Sequence, residues 1–207
     1  MARVIYINGP SSVGKSTLTR ALQNELSEVY LRIGIDQMIG MMPEKLNDWS
    51  AGISRNKDNS MAGFCWDFKP SPDGTPTHGL MSGPQGARIS NLFHVVARTM
   101  LLSGYSIIID DVALRGQEDI VRWQKTLAEF PVLWVGLTAP LSLLEQRERD
   151  RGNRALGSSR MQVDLVHQGN IHYDCFFDTA SVSLKEMVRN ILAASISQQK
   201  YNGDNAI

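Results

Sequence analysis

The chain has 207 residues, a length that suits a single α/β domain, residues 1–207, with a substantial hydrophobic core. Its 21 basic and 21 acidic residues balance, so no overall charge attracts nucleic acid or an anionic membrane. One short apolar run, Val4–Ile7, is too short for a signal peptide or membrane span, and Cys65 and Cys175 fit no metal spacing. We therefore expect a cytoplasmic protein with reduced thiols that binds neither nucleic acid nor membranes.

Apolar runs of strand length alternate with amphipathic segments of helix length, which is typical of a parallel sheet with crossover helices. The predicted strands are residues 4–7, 30–35, 106–111, 131–137 and, with the weakest pattern, 172–178. The predicted helices are residues 16–29, 83–104, 116–130, 140–150 and 181–199. Ser181 or Ser183 is the expected cap of the last helix.

Residues 43–83 interrupt this alternation. They are rich in proline and glycine, yet they also carry aromatic residues such as Trp49, Phe64 and Trp66. Two interpretations are compatible with this composition: an irregular subdomain packed on the core, or a wall over a substrate pocket, since long structured loops often belong to active sites. We assign this region to the acceptor side of the site.

Residues 8–17, NGPSSVGKST, follow the first strand and open the first helix. Gly9, Gly14, Lys15 and Ser16 match the Walker A pattern G-x-x-x-x-G-K-S, in which backbone N–H groups and a helix N-terminus surround phosphate oxygens. Lys15 would reach the β- and γ-phosphates, and the Ser16 hydroxyl would bind Mg²⁺. The predicted nucleotide-binding residues are Gly9, Pro10, Ser11, Ser12, Val13, Gly14, Lys15, Ser16 and Thr17.

Acidic residues end two of the predicted strands. In the stretch IIIDD, Asp110 or Asp111 would hold a magnesium-bound water, unless either serves only as a turn or cap residue. Asp36 ends the second strand, and ligands of open α/β sheets bind at the carboxyl ends of strands. We expect Asp36 to accept the proton of an attacking hydroxyl. It could also cap a helix that starts at Gln37.

An arginine-rich run follows the fourth strand and comprises Arg147, Arg149, Arg151, Arg154 and Arg160. Such a run is often a solvated helix face, but here it is placed to form a lid, at about residues 151–165. Arginine can bind two phosphate oxygens through its planar guanidinium group. We expect Arg151 and Arg154 to close over the γ-phosphate, whereas Arg147 could instead pair with Asp150.

Other classes of phosphate-loop protein fit less well. A GTPase needs D-x-x-G and N-K-x-D at set positions, and neither is found there; the stretch LMSGPQ lacks the second glycine of the transporter ATPase signature. A small-molecule or nucleotide kinase is therefore favoured. The alternative outside enzymes is a regulatory protein that hydrolyses ATP slowly, although such a switch needs no acceptor base like Asp36.

The acceptor pocket is predicted to be apolar and aromatic. Its candidate residues are Met38, Met41, Met42, Trp49 and Phe64, and each of them could equally be a core residue. Methionine adapts to flat ligands, so the pocket would suit a compact aromatic alcohol. We expect His167 and His172 to be structural rather than catalytic.

Six segments, in order and spacing, resemble the chloramphenicol phosphotransferase-like kinases: YINGPSSVGKS, IGIDQMIGMMP, SIIIDDVAL, VLWVGL, RERDRGNR and VHQGNIHYDCFFDT. The resemblance extends from Val4 to about Thr179. It implies a three-layer fold like that of nucleoside monophosphate kinases, with a five-stranded parallel sheet in the order 2-3-1-4-5. It also implies transfer of the γ-phosphate of ATP, rather than GTP, to a hydroxyl of a small molecule, with Asp36 as the base. The namesake activity inactivates an antibiotic and so confers resistance.

Two departures from this family leave the acceptor open. Asn153 replaces an acid in the expected lid motif R-G-D-R, and residues 43–83 align poorly. The acceptor could be an antibiotic such as chloramphenicol, another metabolite, or a nucleotide sugar as in toxin-like kinases. The oligomeric state is likewise open, with a homo-oligomer as one possibility.

Overall fold

The computed structural model describes residues 2–49, 62–70, 74–151 and 156–204. Its strands are β1 (Val4–Asn8), β2 (Tyr30–Gly34), β3 (Phe64–Pro70), β4 (Pro76–Ser82), β5 (Ser106–Asp111), β6 (Val132–Thr138) and β7 (Cys175–Asp178). Its α-helices are α1 (Lys15–Glu25), α2 (Ile35–Gly40), α3 (Pro84–Leu102), α4 (Gln117–Thr126), α5 (Leu141–Arg151), α6 (Ser158–Gln162) and α7 (Leu184–Asp204).

Five strands form a parallel sheet in the order β2-β5-β1-β6-β7. Counted among these five strands alone, this is the predicted order 2-3-1-4-5, which is confirmed. In the register of the central strand, Asn8 lies opposite Asp111 on one side and Gly136 on the other. The carboxyl ends of the strands therefore meet at one edge of the sheet, beside the loop that follows Asn8.

Side chains alternate along each strand and build two core clusters, one on each face of the sheet. On one face Ile5, Ile7 and Ile108 pack with residues of α1 and α7. On the other face Tyr6 and Ile109 pack with residues of α3 and α4. Each fully buried isoleucine contributes roughly 1.5–3 kcal/mol to folding. The result is the three-layer α/β arrangement that the sequence predicts.

The region 43–83 is less irregular than predicted. Its described part contains the antiparallel hairpin β3–β4, with Phe64 opposite Ser82, and a short 3₁₀ turn at Glu44–Leu46. Strand β3 ends at Pro70 and strand β4 begins at Pro76. Both prolines therefore lie at strand ends, where the missing N–H of proline is tolerated.

Two predicted caps have different outcomes. The hydroxyl of Ser183 accepts the N–H of Glu186 at 3.2 Å and so caps α7, as predicted. Helix α2 begins at Ile35, so Asp36 lies within its first turn, and the prediction that Asp36 caps a helix from Gln37 is wrong. Instead, Gln37 accepts the backbone N–H of Gly34 at 2.8 Å. Asp36 therefore lies two residues after the end of β2, in the first turn of α2.

No helix within the described residues is both long and apolar enough to cross a bilayer.

Candidate active site

The loop between β1 and α1 has the backbone geometry of a phosphate-binding turn. Gly14, with φ of 104°, and Ser12, with φ of 62°, adopt left-handed conformations, and that of Gly14 favours glycine. At Gly9 a side chain is excluded by space, because a Cβ atom there would lie 2.7 Å from the carbonyl oxygen of Leu137. Two of the motif's glycines are thus explained by backbone conformation and close packing.

Lys15 is buried within this loop. Its ammonium group donates to the carbonyl oxygens of Gly9 at 2.8 Å and Pro10 at 3.0 Å. The hydroxyl of Ser12 is buried and, among the described residues, has no hydrogen-bond partner. A buried hydroxyl without a partner costs free energy, so the loop carries polar groups that a ligand with oxygen atoms could satisfy.

Helix α6 braces the same loop. The backbone N–H of Ser11 donates to Oε1 of Gln162 at 2.7 Å, and the hydroxyl of Ser159 lies 3.2 Å from the carbonyl oxygen of Ser11. The N-terminus of α6 is held in turn by the buried carboxylate of Glu148, which accepts the N–H groups of Gly157 at 2.7 Å and Ser159 at 3.1 Å. The hydroxyl of Ser158 also donates to Glu148. The loop, α5 and α6 therefore form one hydrogen-bonded unit.

The two acids at the end of β5 have different surroundings. Asp110 accepts a hydrogen bond from the Ser16 hydroxyl at 2.9 Å. Mg²⁺ prefers oxygen ligands and is typically held by one or two carboxylates together with substrate phosphates. The described residues contain no cluster of three or more metal-ligating His, Cys, Asp or Glu side chains. The Ser16 and Asp110 pair thus fits an ion shared with a nucleotide.

Asp111 points to the other face of the sheet. Its Oδ2 accepts the Tyr6 hydroxyl at 2.9 Å and the Trp123 indole N–H at 2.7 Å. Burial raises the pKa of the Asp111 carboxyl, against the opposing effect of these hydrogen bonds. The pKa of the Tyr6 hydroxyl is also raised, mainly by burial and further by the negative charge of Asp111. Of the two aspartates predicted to serve the metal, only Asp110 lies beside Ser16, because consecutive strand residues face opposite ways.

Two large cavities meet at the carboxyl edge of the sheet. The first, about 1000 Å³, is lined by the phosphate loop, Arg20, Arg32 and the segment 179–184, and we call it the loop cavity. The second, about 980 Å³, is the aromatic cavity, lined by Trp49, Phe64, Trp66, Phe93 and Trp123 among others. Asp36 is exposed and lines both of them. Among the described residues, Asp36 is thus the carboxylate that lines both cavities.

The aromatic cavity matches the predicted pocket only in part. Trp49 and Phe64 line it, as expected. Met38, with 4% of its surface exposed, belongs to the core instead, and Met41 and Met42 line a separate groove beside α3. The prediction that these three methionines line the pocket is therefore wrong, because Met38 is on the buried side of α2, and Met41 and Met42 follow the end of α2 along the groove.

Sequence patterns missed several residues of the aromatic cavity. Trp66, which is predicted from the sequence to lie in the acceptor-side region but is not among the pocket candidates, contacts Trp49 edge-on, with ring centroids 5.7 Å apart. Further lining residues come from β4, α3, α4 and the turn that precedes α4, and include Leu80, His94, Arg115, Asp119, Arg122 and Trp123. The available signal was the aromatic content of residues 64–66; nothing in the helical patterns marks which face meets the cavity.

The arginine-rich run is divided by the fold. Arg147 donates to the carbonyl oxygen of Val13 at 3.3 Å and to Thr179 at 2.9 Å, rather than pairing with Asp150. Arg151, at the end of α5, is exposed and lines the loop cavity. Arg160 forms an ion pair with Glu145 at 2.7 Å.

Two other predicted features lie partly or wholly beyond what the structure describes. Arg154 and Asn153 fall outside the described residues. Of the predicted lid at residues 151–165, the described part includes α6.

His167 has a structural environment, as expected. Its Nδ1 lies 2.9 Å from the Tyr173 hydroxyl, and its Nε2 lies 3.0 Å from the carbonyl oxygen of Leu137. Burial lowers the pKa of His167. His172 is exposed. Cys65 and Cys175 are free thiols whose pKa values are raised by burial.

Known proteins are similar to this chain in sequence over most of its length. The family described as "Chloramphenicol phosphotransferase-like protein" matches residues 2–195. The protein named "Putative O-phosphotransferase Rv2636" from Mycobacterium tuberculosis (strain ATCC 25618 / H37Rv) is 27% identical over 190 residues, which cover 91% of this chain and 80% of that protein.

Solved structures share the fold. A gluconokinase from Sinorhizobium meliloti 1021 superposes with a TM-score of 0.60 at 16% identity, covering 100% of this chain and 98% of that one. The APS kinase CysC of Mycobacterium tuberculosis, solved in complex with AMPPNP and APS, gives a TM-score of 0.61 at 14% identity, covering 93% of this chain and 96% of that one. The chain therefore has a fold shared with small-molecule kinases.

Proposed function

The chain belongs to the chloramphenicol phosphotransferase-like family, and on that premise we propose that it transfers the γ-phosphate of ATP to a hydroxyl group of a small molecule. The observation that carries this proposal is the position of Asp36, which lines both the loop cavity and the aromatic cavity. A kinase must bring a phosphate donor and a hydroxyl acceptor together at one carboxylate. A nucleotide-dependent switch needs only the loop cavity, because it has no acceptor molecule to bind.

In the loop cavity, the chain's own groups would bind and neutralise the phosphates. The loop amides and the N-terminus of α1 attract anionic oxygens, and the ammonium group of Lys15 would exchange its bonds to Gly9 and Pro10 for phosphate oxygens. Ser16 and Asp110 would hold Mg²⁺, which neutralises charge on the phosphate oxygens when bound. Arg147 holds the loop through Val13.

At the junction, Asp36 would orient the acceptor hydroxyl and accept its proton as the oxygen attacks the γ-phosphorus. The bond between that phosphorus and the bridging oxygen of ADP breaks, so that ADP leaves with the electron pair. Arg151 lines the loop cavity, and together with Arg154 it would close over the γ-phosphate and exclude water. Excluding water suppresses hydrolysis and strengthens each electrostatic contact.

In the aromatic cavity, the walls favour a compact aromatic alcohol, such as chloramphenicol, over an anionic acceptor. Its two described arginines already have partners: Arg115 donates to Asp119 at 2.7 Å, and Arg122 donates to Asn91. Among the described residues that line the cavity, three carboxylates, Asp36, Asp111 and Asp119, stand beside two arginines, so an acceptor that carries phosphate or carboxylate groups would meet more acidic than basic side chains. This charge pattern supports an antibiotic or uncharged metabolite more than a nucleotide sugar.

The test is acceptor-dependent release of ADP from ATP and Mg²⁺, with chloramphenicol, uncharged hydroxyl metabolites and nucleotide sugars supplied one at a time. We expect one uncharged compound to raise ADP release well above the rate without acceptor, with a phosphorylated product of one added phosphate by mass. Slow hydrolysis that no compound accelerates would instead indicate a regulatory protein. Rapid transfer to a nucleotide sugar alone would support the alternative kinase.

A further inference from the structure

His94 lies on α3 in the wall of the aromatic cavity, and its ring is held on two sides. The imidazole stacks on Trp123, with ring centroids 3.8 Å apart and an angle of 30° between the planes. Its Nδ1 lies 2.9 Å from the hydroxyl oxygen of Thr126. The ring is half-buried and its plane is fixed, so its remaining nitrogen, Nε2, has a defined direction.

The proton positions on this ring follow from hydrogen-bond accounting. The hydroxyl oxygen of Thr126 also lies 3.0 Å from the carbonyl oxygen of Arg122, one turn earlier on α4. Two oxygens at that distance need a proton between them, and only the Thr126 hydroxyl can supply it. The Thr126 oxygen must therefore accept from His94, which places the ring proton on Nδ1 and a lone pair on Nε2.

Nε2 is the ring atom that is left for a ligand. In the part of the chain that the structure describes, His94 forms no other hydrogen bond, and Nε2 is not among the buried polar atoms that lack a partner. Burial lowers the pKa of His94 to about 4, the positive charge of Arg122 adds to this, and Asp119 opposes it. The ring is therefore neutral near pH 7, and Nε2 can only accept.

We propose that His94 is a specificity-determining residue, whose Nε2 accepts a hydrogen bond from a hydroxyl or amide N–H of the acceptor molecule other than the reacting hydroxyl. This inference rests on the proposed function for the identity of the aromatic cavity as the acceptor site. Together with Asp36 and Asp119, His94 gives that cavity groups that accept hydrogen bonds. The preferred compound is uncharged and carries at least two donor groups, of which one reacts and one binds His94.

The first test observes the ring directly by long-range ¹H–¹⁵N NMR on the full chain. The chain has four histidines, and the spectrum of His94→Asn identifies the signals of His94. We expect Nδ1 protonated and Nε2 bare between about pH 6 and 8, and a shift of the Nε2 signal toward lower frequency when saturating chloramphenicol donates to it. A proton on Nε2, or an Nε2 signal that chloramphenicol leaves unchanged, overturns the inference whether or not transfer occurs.

The second test uses two variants that separate the ring nitrogens. The side chain of Gln places an acceptor near the position of Nε2, whereas that of Asn places one near Nδ1. We expect His94→Asn to raise the KM for chloramphenicol about 10-fold and His94→Gln to keep it within about 3-fold, with the KM for ATP unchanged in both. The reverse order would show that only the bond to Thr126 matters. An Nε2 shift without phosphorylation would preserve this inference and reject the proposed function.

Discussion

Asp110 and Asp111 are consecutive residues of β5, yet their carboxylates lie on opposite faces of the central sheet. Asp110 accepts from Ser16 on the face that α1 covers. Asp111 accepts from Tyr6 and Trp123 on the face that α4 covers. Because the sheet lies between them, the two acids serve different sites, one at the phosphate loop and one in the wall of the aromatic cavity.

This separation predicts different responses to magnesium. Asp110→Asn should raise the Mg²⁺ concentration needed for half-maximal ADP release about 10- to 100-fold, since it removes the negative charge beside Ser16. Asp111→Asn, the matched control one residue away, should leave that concentration within about 2-fold. The measurement is a Mg²⁺ titration at saturating ATP. Equal effects of both substitutions would contradict the assignment of the metal site to one face.

The lowered pKa of His94 predicts a pH-dependent stability. A histidine whose pKa falls on folding binds its proton less tightly in the folded chain, so its contribution is full above the unfolded pKa near 6.5. That contribution is lost as the pH falls toward about 4. The free energy of unfolding of the wild type should therefore decrease, relative to that of His94→Gln, between about pH 6.5 and 4. Urea denaturation at several pH values measures the difference, and a constant difference would show that the ring does not titrate with folding.

Asp36→Asn tests the base at the junction of the cavities. Asparagine keeps the size of the side chain but cannot accept a proton, so kcat for transfer should fall about 10²- to 10⁴-fold. ATP affinity, measured by calorimetry with Mg²⁺, should stay within about 3-fold. The control is Asp164→Asn, an exposed aspartate that lines neither cavity among the described residues. Full activity in Asp36→Asn would reject the role of Asp36.

Arg151 and Arg149 offer a matched pair on α5. Both are exposed, but only Arg151 lines the loop cavity. Arg151→Ala should lower kcat about 100-fold, because it removes a cation that balances charge developing on the transferred phosphoryl group. Arg149→Ala should change kcat less than 2-fold. Steady-state kinetics at saturating ATP distinguishes them, and similar losses in both variants would indicate a general effect of charge instead.

Glu148 is expected to stabilise the fold more than its neighbours on α5. Glu148→Ala removes the carboxylate that accepts from Gly157 and Ser159, so buried donors lose their partner, and we expect a loss of about 2–4 kcal/mol. Glu145→Ala breaks only the ion pair with Arg160 and should cost about 1 kcal/mol or less. Chemical denaturation of both variants gives the comparison. A cost of Glu148→Ala no larger than that of Glu145→Ala would mean that water replaces the carboxylate.

The central sheet could be predicted from the sequence because its strands are buried on both faces and therefore read as continuous apolar runs. The three isoleucines at residues 107–109 are an example, because all of them are buried. The phosphate loop could be predicted because its glycines are required by the local backbone geometry, and their spacing is therefore visible in the sequence. Strand β7 was harder to predict, since only the four residues Cys175–Asp178 pair.

The rest depends on contacts between distant segments. The hairpin β3–β4 contains Gly79 and prolines, which disfavour a strand in any local pattern, and it forms against α3 and α6. Whether His94 faces a cavity or solvent depends on where α4 packs, and the periodicity of apolar residues along α3 does not indicate this. The division between Asp110 and Asp111 was accessible, however, because strand alternation alone places neighbours on opposite faces.

The phosphate loop is completed by residues far along the chain. Ser11 donates to Gln162, 151 positions later, and the side chain of Asn8 donates to the carbonyl oxygen of Val166, 158 positions later. At translation rates of about 5–20 residues per second, roughly 8–30 s separate the synthesis of the two halves of this network. Until Val166 has left the ribosome, the amides of Asn8 and Ser11 lack these partners. A phosphate loop with all of these hydrogen bonds is thus a structure that a nascent chain gains only after most of it has been made.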